Sequence, residues 1–398
     1  MPRVVMKFGG TSMAGIERIR HVASLVAKQA AESETCVVVS AMAGETDRLV
    51  QFCKEAAAEH DPREYDVVVA SGEQVTAGLL AMTLQNSGLD ARSFMGWQLV
   101  KASGVHGNAR VDGIDSSELD DALSNGTVSV IPGFQGATPD GRVATLGRGG
   151  SDTSAVAIAA GLKADRCDIY TDVDGVYTTD PRIDPNASKL DRIGAEEMLE
   201  LAGSGAKVLQ VRSVGLAMRE GMTLMVRSAF EDVPGSEIIS NWDETMERTA
   251  ISGIAADRNE ALVKLIAEDR PGRLAAALHA LADEGLTVDM VAQASDSLHF
   301  TVPRTALDRA LKALDKAKDK IGHTAIKSDN EVAKISVVGV GVRSDPALAA
   351  KVYDVLADRQ VPLLAATLSE LKASALVPES HVDVAVRALH AAFGLGGE

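Results

Sequence analysis

A cation and two glycines occur together near the amino terminus, in the segment KFGGTS at residues 7–12. Glycines after a strand let the backbone approach a ligand, and free amide groups at such a turn point at an anion. Lys7 adds a positive charge beside them. The pattern favours an anion-binding turn, although a plain strand-to-helix turn with a solvated lysine has the same composition. The segment does not match the GxxxxGK[ST] loop, so that common assignment fails.

A second glycine cluster surrounds an arginine in the segment GRGGSDTS at residues 147–154, which leads into an apolar helical run at 155–160. Ser151 or Asp152 could serve only as the helix N-cap. Three glycines around Arg148, in front of a helix N-terminus, nevertheless indicate a second turn that can receive an anion. Two such turns on one sheet suit a phosphate donor together with a carboxylate acceptor.

A third cluster, TDVDGVYTTDPR at residues 171–182, is dense in acidic and hydroxyl side chains. Its Asp-Gly and Asp-Pro pairs are common turn formers, and turn chemistry alone could explain them. Acceptors of this kind also hold ribose hydroxyls or hydrated Mg²⁺, and the arginine that follows suits phosphates. The segment is therefore also a reasonable nucleotide-binding loop.

The sequence around these clusters predicts an α/β region that ends near residue 240. Short β-branched runs alternate with helical periodicity, which is typical of a mostly parallel sheet covered by helices. Helices are predicted over 16–30 and 195–202. Strands are predicted at 4–8, 36–39, 67–69, 128–131, 168–170 and 223–226.

The remainder of the chain repeats itself, as the recurrence of Pro271 at Pro346 and of Leu314 at Leu389 illustrates. Each copy reads strand, turn, helix, two strands, helix, which is a ferredoxin-like βαββαβ plan. The second copy ends with a helix at about 382–393 and leaves no room for its closing strand. A strand-like segment at 250–254 can supply that strand, so that the two copies interlock; an independent structural module is the alternative. In the first copy the predicted strands are 262–266, 286–291 and 298–302.

Composition excludes several classes of protein. A length of 398 residues suits two or three domains, and 46% hydrophobic with 24% charged residues is typical of a soluble globular protein. The net charge of −16 disfavours a nucleic-acid partner. No apolar run approaches the roughly 20 residues of a membrane span and no signal peptide is evident, so a cytoplasmic protein without a membrane role is expected. Cys36, Cys53 and Cys167 lack metal or disulfide spacing and are predicted to be buried small hydrophobes.

Taken in chain order, these blocks resemble the aspartokinase branch of the amino-acid kinase superfamily, and the resemblance covers essentially the whole chain. The blocks are KFGGTS, SGE at 71–73, HGNAR at 106–110, GRGGSD, the 171–182 stretch and GAKVL at 205–209. The repeated units resemble that family's tandem ACT domains. The resemblance implies a three-layer amino-acid kinase fold with a mostly parallel sheet over about 1–240. It also implies a regulatory region at 241–398 with two interlocked ACT-like domains, about 260–330 and 331–398 plus strand 250–255.

The resemblance further implies transfer of the γ-phosphoryl group of ATP, with Mg²⁺, to the β-carboxylate of L-aspartate, the first step of lysine, threonine and methionine biosynthesis. Lys7 would be catalytic, with Asp152 orienting it. Aspartate would be bound by Ser40, Thr46, Glu73 at its ammonium, Arg148 at its carboxylate, Gly149, Gly150 and Ser151. ATP would be bound by Lys7, Gly9, Gly10, Thr11, Ser12, Thr171, Asp172, Tyr177, Asp180, Arg182 and Lys207. No metal site built from protein ligands alone is expected.

Regulation by lysine or threonine is implied for the ACT-like region, with Asp269, Gly272 and Gln293 as effector residues. Thr287 and Pro362 stand where the family typically carries asparagine, so at most one effector site per chain is expected. The ACT-like units are also expected to form a homodimer or larger homo-oligomer. The alternatives are a catalytically inactive amino-acid sensor and another kinase of the superfamily, such as a glutamate, acetylglutamate or uridylate kinase.

Overall fold

The computed structural model describes residues 1–240, 250–268 and 270–397, apart from the side chain of Arg343. The strands, numbered in chain order, are β1 Arg3–Phe8, β2 Glu34–Val39, β3 Ala91–Ser93, β4 Val100–Ser103, β5 Arg110–Ile114, β6 Val128–Pro132, β7 Gln135–Ala137, β8 Val143–Thr145, β9 Arg166–Thr171, β10 Val176–Tyr177, β11 Lys189–Leu190, β12 Arg192–Gly194, β13 Leu224–Ser228, β14 Ser236–Ile239, β15 Gly253–Ala267, β16 Val291–Gln293, β17 Ser297–Pro303, β18 His323–Val338, β19 Ala365–Leu368 and β20 Lys372–Pro378. The α-helices are α1 Ile16–Ala30, α2 Glu45–Ala56, α3 Pro62–Val69, α4 Ser71–Asn86, α5 Gly96–Leu99, α6 Ser117–Ser124, α7 Gly150–Gly161, α8 Ala195–Gly203, α9 Val211–Glu220, α10 Arg273–Asp283, α11 Leu307–Lys316, α12 Lys318–Ile321, α13 Gly341–Ser344, α14 Pro346–Asp358 and α15 Val382–Ala392.

These elements form two compact units that do not follow chain order. The first unit comprises Met1–Val176, Lys189–Ala202 and residues 207–240. The second comprises Tyr177–Ser188, Gly203–Ala206 and the described residues from 250 onward. Two short segments from within residues 1–240 therefore belong to the second unit.

An eight-stranded sheet organises the first unit, with the strand order β12-β14-β13-β9-β1-β2-β6-β3. Only β13 and β14 pair in antiparallel fashion in this sheet, so the predicted mostly parallel sheet is confirmed. Helices α1 and α4 cover one face, where Phe8 and Val39 pack with Ile19 and Leu80. Helix α7 covers the other face and is itself covered by α9. Two helical layers thus enclose the sheet, as the three-layer fold requires.

The predicted strand at 67–69 is wrong, because these residues end helix α3. Asp61 caps that helix by accepting a hydrogen bond from the Arg63 amide at 2.9 Å, and Pro62 occupies its first turn. Three consecutive valines favour a strand only weakly, and the cap outweighs them.

Helices α3 and α4 together form a helical stretch of 25 residues, Pro62–Asn86, which by length and composition alone could cross a membrane. Half of its apolar 18-residue window is buried inside the fold, as in a core helix of a globular domain.

The second unit contains a six-stranded sheet with the order β16-β17-β15-β18-β20-β19. Residues 253–257 of β15 pair with 334–338 of β18, and residues 262–267 of β15 pair with 323–329 of β18. Each long strand therefore closes one repeat and opens the other, and Ile254 packs in the core of the second repeat with Ile335 and Leu389. The strand expected at 286–291 is wrong in position, because residues 286–290 form no strand and β16 begins only at Val291.

Candidate active site

Lys7 lies at the carboxyl end of β1, between the parallel neighbours β2 and β9. The strand has a parallel neighbour on each side, and ligands of open α/β sheets bind beyond the carboxyl ends of such strands. The Lys7 ammonium is 2.6 Å from the Oδ1 atom of Asp152, and both residues are only 8% exposed. Asp152 stands in the first turn of α7, where the helix dipole favours a negative charge. The ion pair holds the ammonium in place at the end of the sheet.

The glycine turn after β1 packs directly on the loop after β2. A side chain at Gly10 would lie 2.9 Å from the Ala41 carbonyl, so only glycine fits there. The Ala43 amide donates to the Gly10 carbonyl at 3.1 Å, and the Ser40 amide donates to the Phe8 carbonyl at 3.0 Å. The structure thereby brings the 7–12 turn together with the loop that carries Ser40 and Thr46.

Two residues of the turn differ in their exposure. Thr11 is exposed, whereas Ser12 is 1% exposed and its hydroxyl has no hydrogen-bond partner among the described residues. A buried hydroxyl without a partner costs free energy, which a bound ligand would recover.

Glu73 is buried in the first turn of α4 and reaches the same loop. Its Oε1 atom accepts a hydrogen bond from the Ala41 amide at 3.1 Å, while Oε2 is buried without a partner in the described part of the chain. Burial raises the pKa of Glu73 to about 7, partly opposed by the hydrogen bond from Ala41. One carboxylate oxygen therefore remains available to a cationic group.

The loop between β8 and α7 and the first two residues of α7 comprise the predicted aspartate-binding residues 148–151. Gly149 has a φ of 70°, and a side chain there would lie 2.1 Å from the Cγ atom of Gln210. Arg148 is exposed, and its guanidinium contacts no carboxylate in the described ranges. Gly150 and Ser151 begin α7, and the first backbone amides of a helix have no acceptor within the helix. The loop therefore presents an unpaired cation beside a helix N-terminus.

The predicted ATP-binding residues are divided between the two units. Thr171 ends β9 beside β1, and its hydroxyl donates to the exposed Asp172 carboxylate at 3.2 Å. Lys207 is exposed in the first unit. Tyr177, Asp180 and Arg182 belong to the second unit, where the guanidinium of Arg182 pairs with the Asp180 carboxylate at 2.6 Å.

Within the second unit, the segment Tyr177–Ser188 is anchored by a buried polar cluster. His390 of α15 contacts the Thr178 hydroxyl through Nε2 at 2.8 Å and the Asp184 carboxylate through Nδ1 at 3.0 Å. Thr178 also donates to the Leu395 carbonyl at 3.1 Å. Burial lowers the pKa of His390, while Asp184 opposes that change. The last helix of the chain thus holds the segment that follows β10.

Sequence reasoning left the role of His106 open and overlooked Asp66. The fully buried Asp66 carboxylate accepts hydrogen bonds from the Gly107 amide at 3.1 Å and the Thr145 hydroxyl at 2.6 Å, and it contacts His106 Nδ1 at 2.7 Å. The HGNAR block is therefore anchored to α3 beside β8. Asp66 adjoins the valines that suggested a strand, and that error concealed it.

Gly272 and Gln293 of the predicted effector set line one pocket of about 540 Å³ at the start of α10. Arg270, Arg273 and Leu278 complete most of its wall. Asp269 lies outside the described residues. All three cysteines are buried and free, which confirms the prediction made for them.

Comparisons with known proteins agree with this architecture. Residues 2–228 match the amino acid kinase family, and residues 261–322 and 335–393 each match the ACT domain family. The chain belongs to the amino acid kinase family and carries two ACT domains.

Full-length relatives make the assignment more specific. An aspartate kinase from Pseudomonas putida is 43% identical over 99% of this chain and 98% of its own length. The crystal structure of Escherichia coli aspartokinase III with aspartate and ADP has a TM-score of 0.85 and 25% identity, covering 98% of this chain and 99% of that one. The same enzyme with lysine and aspartate has a TM-score of 0.78 at 25% identity, covering 98% of both chains. This similarity places the chain among the aspartate kinases, ATP-dependent enzymes that phosphorylate aspartate.

Proposed function

We propose that the chain transfers the γ-phosphoryl group of ATP to the β-carboxylate of L-aspartate at the carboxyl end of β1, giving the acyl phosphate 4-phospho-L-aspartate. The observation that carries this proposal is the buried Lys7–Asp152 ion pair beside the glycine turn. The aspartate and ADP bound by the similar Escherichia coli enzyme support this choice of substrates.

Lys7 would offset the repulsion between two anions in the transition state. An aspartate β-carboxylate with an ordinary pKa of about 3.9 is already ionised near neutral pH, so no base has to remove a proton. The ammonium and the backbone amides of the glycine turn would instead neutralise the charge on the transferred group. Asp152 keeps the ammonium aimed at that position.

Mg²⁺ would supply further positive charge on the phosphates when ATP is bound. In the described residues no three His, Cys, Asp or Glu side chains cluster as metal ligands. A magnesium ion carried by nucleotide phosphates needs only one or two carboxylates, and the exposed Asp172 at the end of β9 fits that need.

Aspartate would bind between the Glu73 carboxylate and the Arg148 guanidinium. The unpaired Oε2 atom of Glu73 suits the substrate ammonium, and Arg148 suits its α-carboxylate. Ser40, Thr46 and residues 149–151 would line the same pocket. For ATP we propose Lys7 with residues 9–12, Thr171, Asp172 and Lys207; Tyr177, Asp180 and Arg182 are added on the resemblance of the 171–182 stretch.

A coupled ADP-release assay tests this function. The wild-type chain should release ADP with aspartate but not with glutamate, whereas an inactive sensor would release none with either. Lys7→Ala should lower kcat by orders of magnitude with a much smaller effect on ATP binding, because the ammonium acts mainly on transition-state charge. Lys28→Ala is the matched control, since that ammonium is largely exposed and pairs with the exposed Asp232. A kcat for the Lys7 variant close to that of the control would refute the assignment.

Feedback by a small amino acid is proposed for the pocket at the start of α10. Gly272 and Gln293 offer polar groups there, and Arg270 adds a cation. The lysine bound by the similar Escherichia coli enzyme supports an amino-acid effector. Because Thr287 and Pro362 replace expected asparagines, we propose at most one functional site per chain, with lysine and threonine inhibition that is weak or depends on both.

A further inference from the structure

The loop that carries Arg148 rests on the first residues of α9. Gly149 leaves just enough space for Gln210, the residue that precedes this helix, because any side chain at position 149 would overlap its Cγ atom. The backbone of Gly147 is also left-handed, with a φ of 74°, and approaches Asn108 closely. Contacts on both sides thus determine the path of this loop.

Arg212, two residues after Gln210, joins the same two segments through its guanidinium. Its Nη1 atom donates to the Leu146 carbonyl and to the Asn108 side-chain oxygen, the latter at 3.2 Å. Its Nη2 atom donates to the Ala109 carbonyl at 2.9 Å. One side chain therefore bonds the residue just before the Gly147–Gly149 turn and the neighbouring loop of the HGNAR block.

The acceptors of Arg212 are all neutral. No carboxylate within the described ranges pairs with this guanidinium, and burial lowers its pKa, with Arg110 adding to the effect. A cation in such a position costs free energy unless its donors are used. A planar guanidinium can bond several acceptors in one plane, which a lysine ammonium cannot do. The arrangement is suited to holding backbone in place.

Asp66 of helix α3 holds the same two segments, the HGNAR block and the chain that leads into the Arg148 loop. Its carboxylate bonds the Gly107 amide and the Thr145 hydroxyl, and Thr145 directly precedes Leu146. The loop bearing Arg148 is consequently held from α3 on one side and from α9 on the other. Arg148 itself is exposed, so its direction depends on the backbone that carries it.

We propose that Arg212 is a positioning residue for aspartate binding, which acts by fixing the backbone from which Arg148 reaches the substrate. It does not touch aspartate itself. The inference rests on the proposed role of Arg148 and adds a residue that none of the sequence motifs contains.

The first test compares Arg212→Ala with Arg219→Ala, which removes an exposed arginine from the same helix. We expect Arg212→Ala to raise the KM for aspartate about ten- to a hundredfold, while the KM for ATP changes much less. Arg212→Lys should recover little, since one ammonium cannot replace the planar fork, and added guanidinium ions should partly restore Arg212→Ala. Thermal unfolding of each variant checks that it is folded. If Arg212→Ala is not folded, Arg212→Lys replaces it in the comparison with Arg219→Ala. Equal KM values for aspartate in the Arg212 and Arg219 variants would overturn the inference.

A double-mutant cycle separates positioning from a general structural role. If Arg212 acts through Arg148, the variant with both residues changed to Ala should have a KM for aspartate within about twofold of Arg148→Ala alone, because the guanidinium that Arg212 positions is then already absent. If the increases in KM of the two single variants instead multiply in the double variant, Arg212 acts independently of Arg148 and the proposal is refuted. Should Arg148→Ala leave the KM for aspartate unchanged while aspartate still drives ADP release, the assignment of Arg148 fails, and this inference with it.

Discussion

Glu73→Gln separates the stability cost of a buried carboxylate from its use in aspartate binding. Burial raises the pKa of Glu73 from 4.5 to about 7, which corresponds to about 3 kcal/mol of unfolding free energy lost when the group ionises in the folded protein. In the glutamine variant the side-chain NH2 group would take the buried position of Oε2 without a partner, which costs about 1–3 kcal/mol. The variant without ligand should therefore be up to about 2 kcal/mol more stable than wild type above pH 7.

The pH dependence of this difference has a definite sign. The unfolded carboxyl ionises near pH 4.5 and the folded one near pH 7, so the folded state binds more protons between these values. The stability contributed by this group in the wild type therefore falls as the pH rises from 4.5 to 7, whereas the variant has no such loss. Urea unfolding at pH 5 and pH 8 should show a variant-minus-wild-type difference that grows by about 2.5 kcal/mol, since part of the loss is already present at pH 5. Glu59→Gln, which changes an exposed carboxylate in the same way, is the matched control.

Kinetics supply the second readout for the same change. The neutral amide cannot pair with the substrate ammonium, so Glu73→Gln should raise the KM for aspartate about ten- to a hundredfold and affect the KM for ATP much less. In the wild type, kcat/KM for aspartate should rise as the pH passes through about 7, where Glu73 ionises. A stability difference that does not change with pH, together with a defect directed mainly at ATP, would refute the reasoning.

Three further outcomes are expected. Gly149→Ala should raise the KM for aspartate in initial-rate assays because the new methyl group meets Gln210; Gly141→Ala, with a φ of 78° and open space, should leave it unchanged. Calorimetry should detect at most one lysine or threonine site per chain, and tight inhibition by lysine alone with two occupied sites would contradict this. Light scattering at micromolar concentration should give at least a homodimer formed through residues after about 250, not a monomer.

Local patterns predicted the elements that carry the glycine turns. The strands at 4–8, 36–39, 128–131 and 168–170 and the helix at 16–30 are confirmed; the strands were predicted from short apolar runs and the helix from its apolar stripe at helical spacing. The strand at 67–69 failed because three valines were read without the Asp-Pro cap that begins their helix. Propensity is a weak guide where a capping residue decides the conformation.

Long-range partners set the limit of what the sequence could reveal. Repeat spacing indicated that a segment near 250 could complete the second repeat, since a missing strand is visible in a βαββαβ pattern. Nothing local marks Arg212 as a bridge to Leu146, because the two residues are distant in sequence and the acceptor is a carbonyl, which carries no residue-specific pattern. The same holds for Asp66 and His106, and for Tyr177–Ser188, whose contacts assign it to the second unit.

The contact between Thr178 and His390 also determines when the segment Tyr177–Ser188 can be anchored during synthesis. Thr178 is 212 residues from His390 and 217 from Leu395, so its partners are synthesised long after it. At about 5–20 residues per second, this interval is about 10–40 s. Strands β1, β2 and β9 are available to pair throughout that time. The segment with Tyr177, Asp180 and Arg182 cannot be anchored until helix α15 has been synthesised. A nascent or truncated chain that lacks α15 is therefore expected to have the central strands of the kinase sheet but not an ordered 177–188 segment.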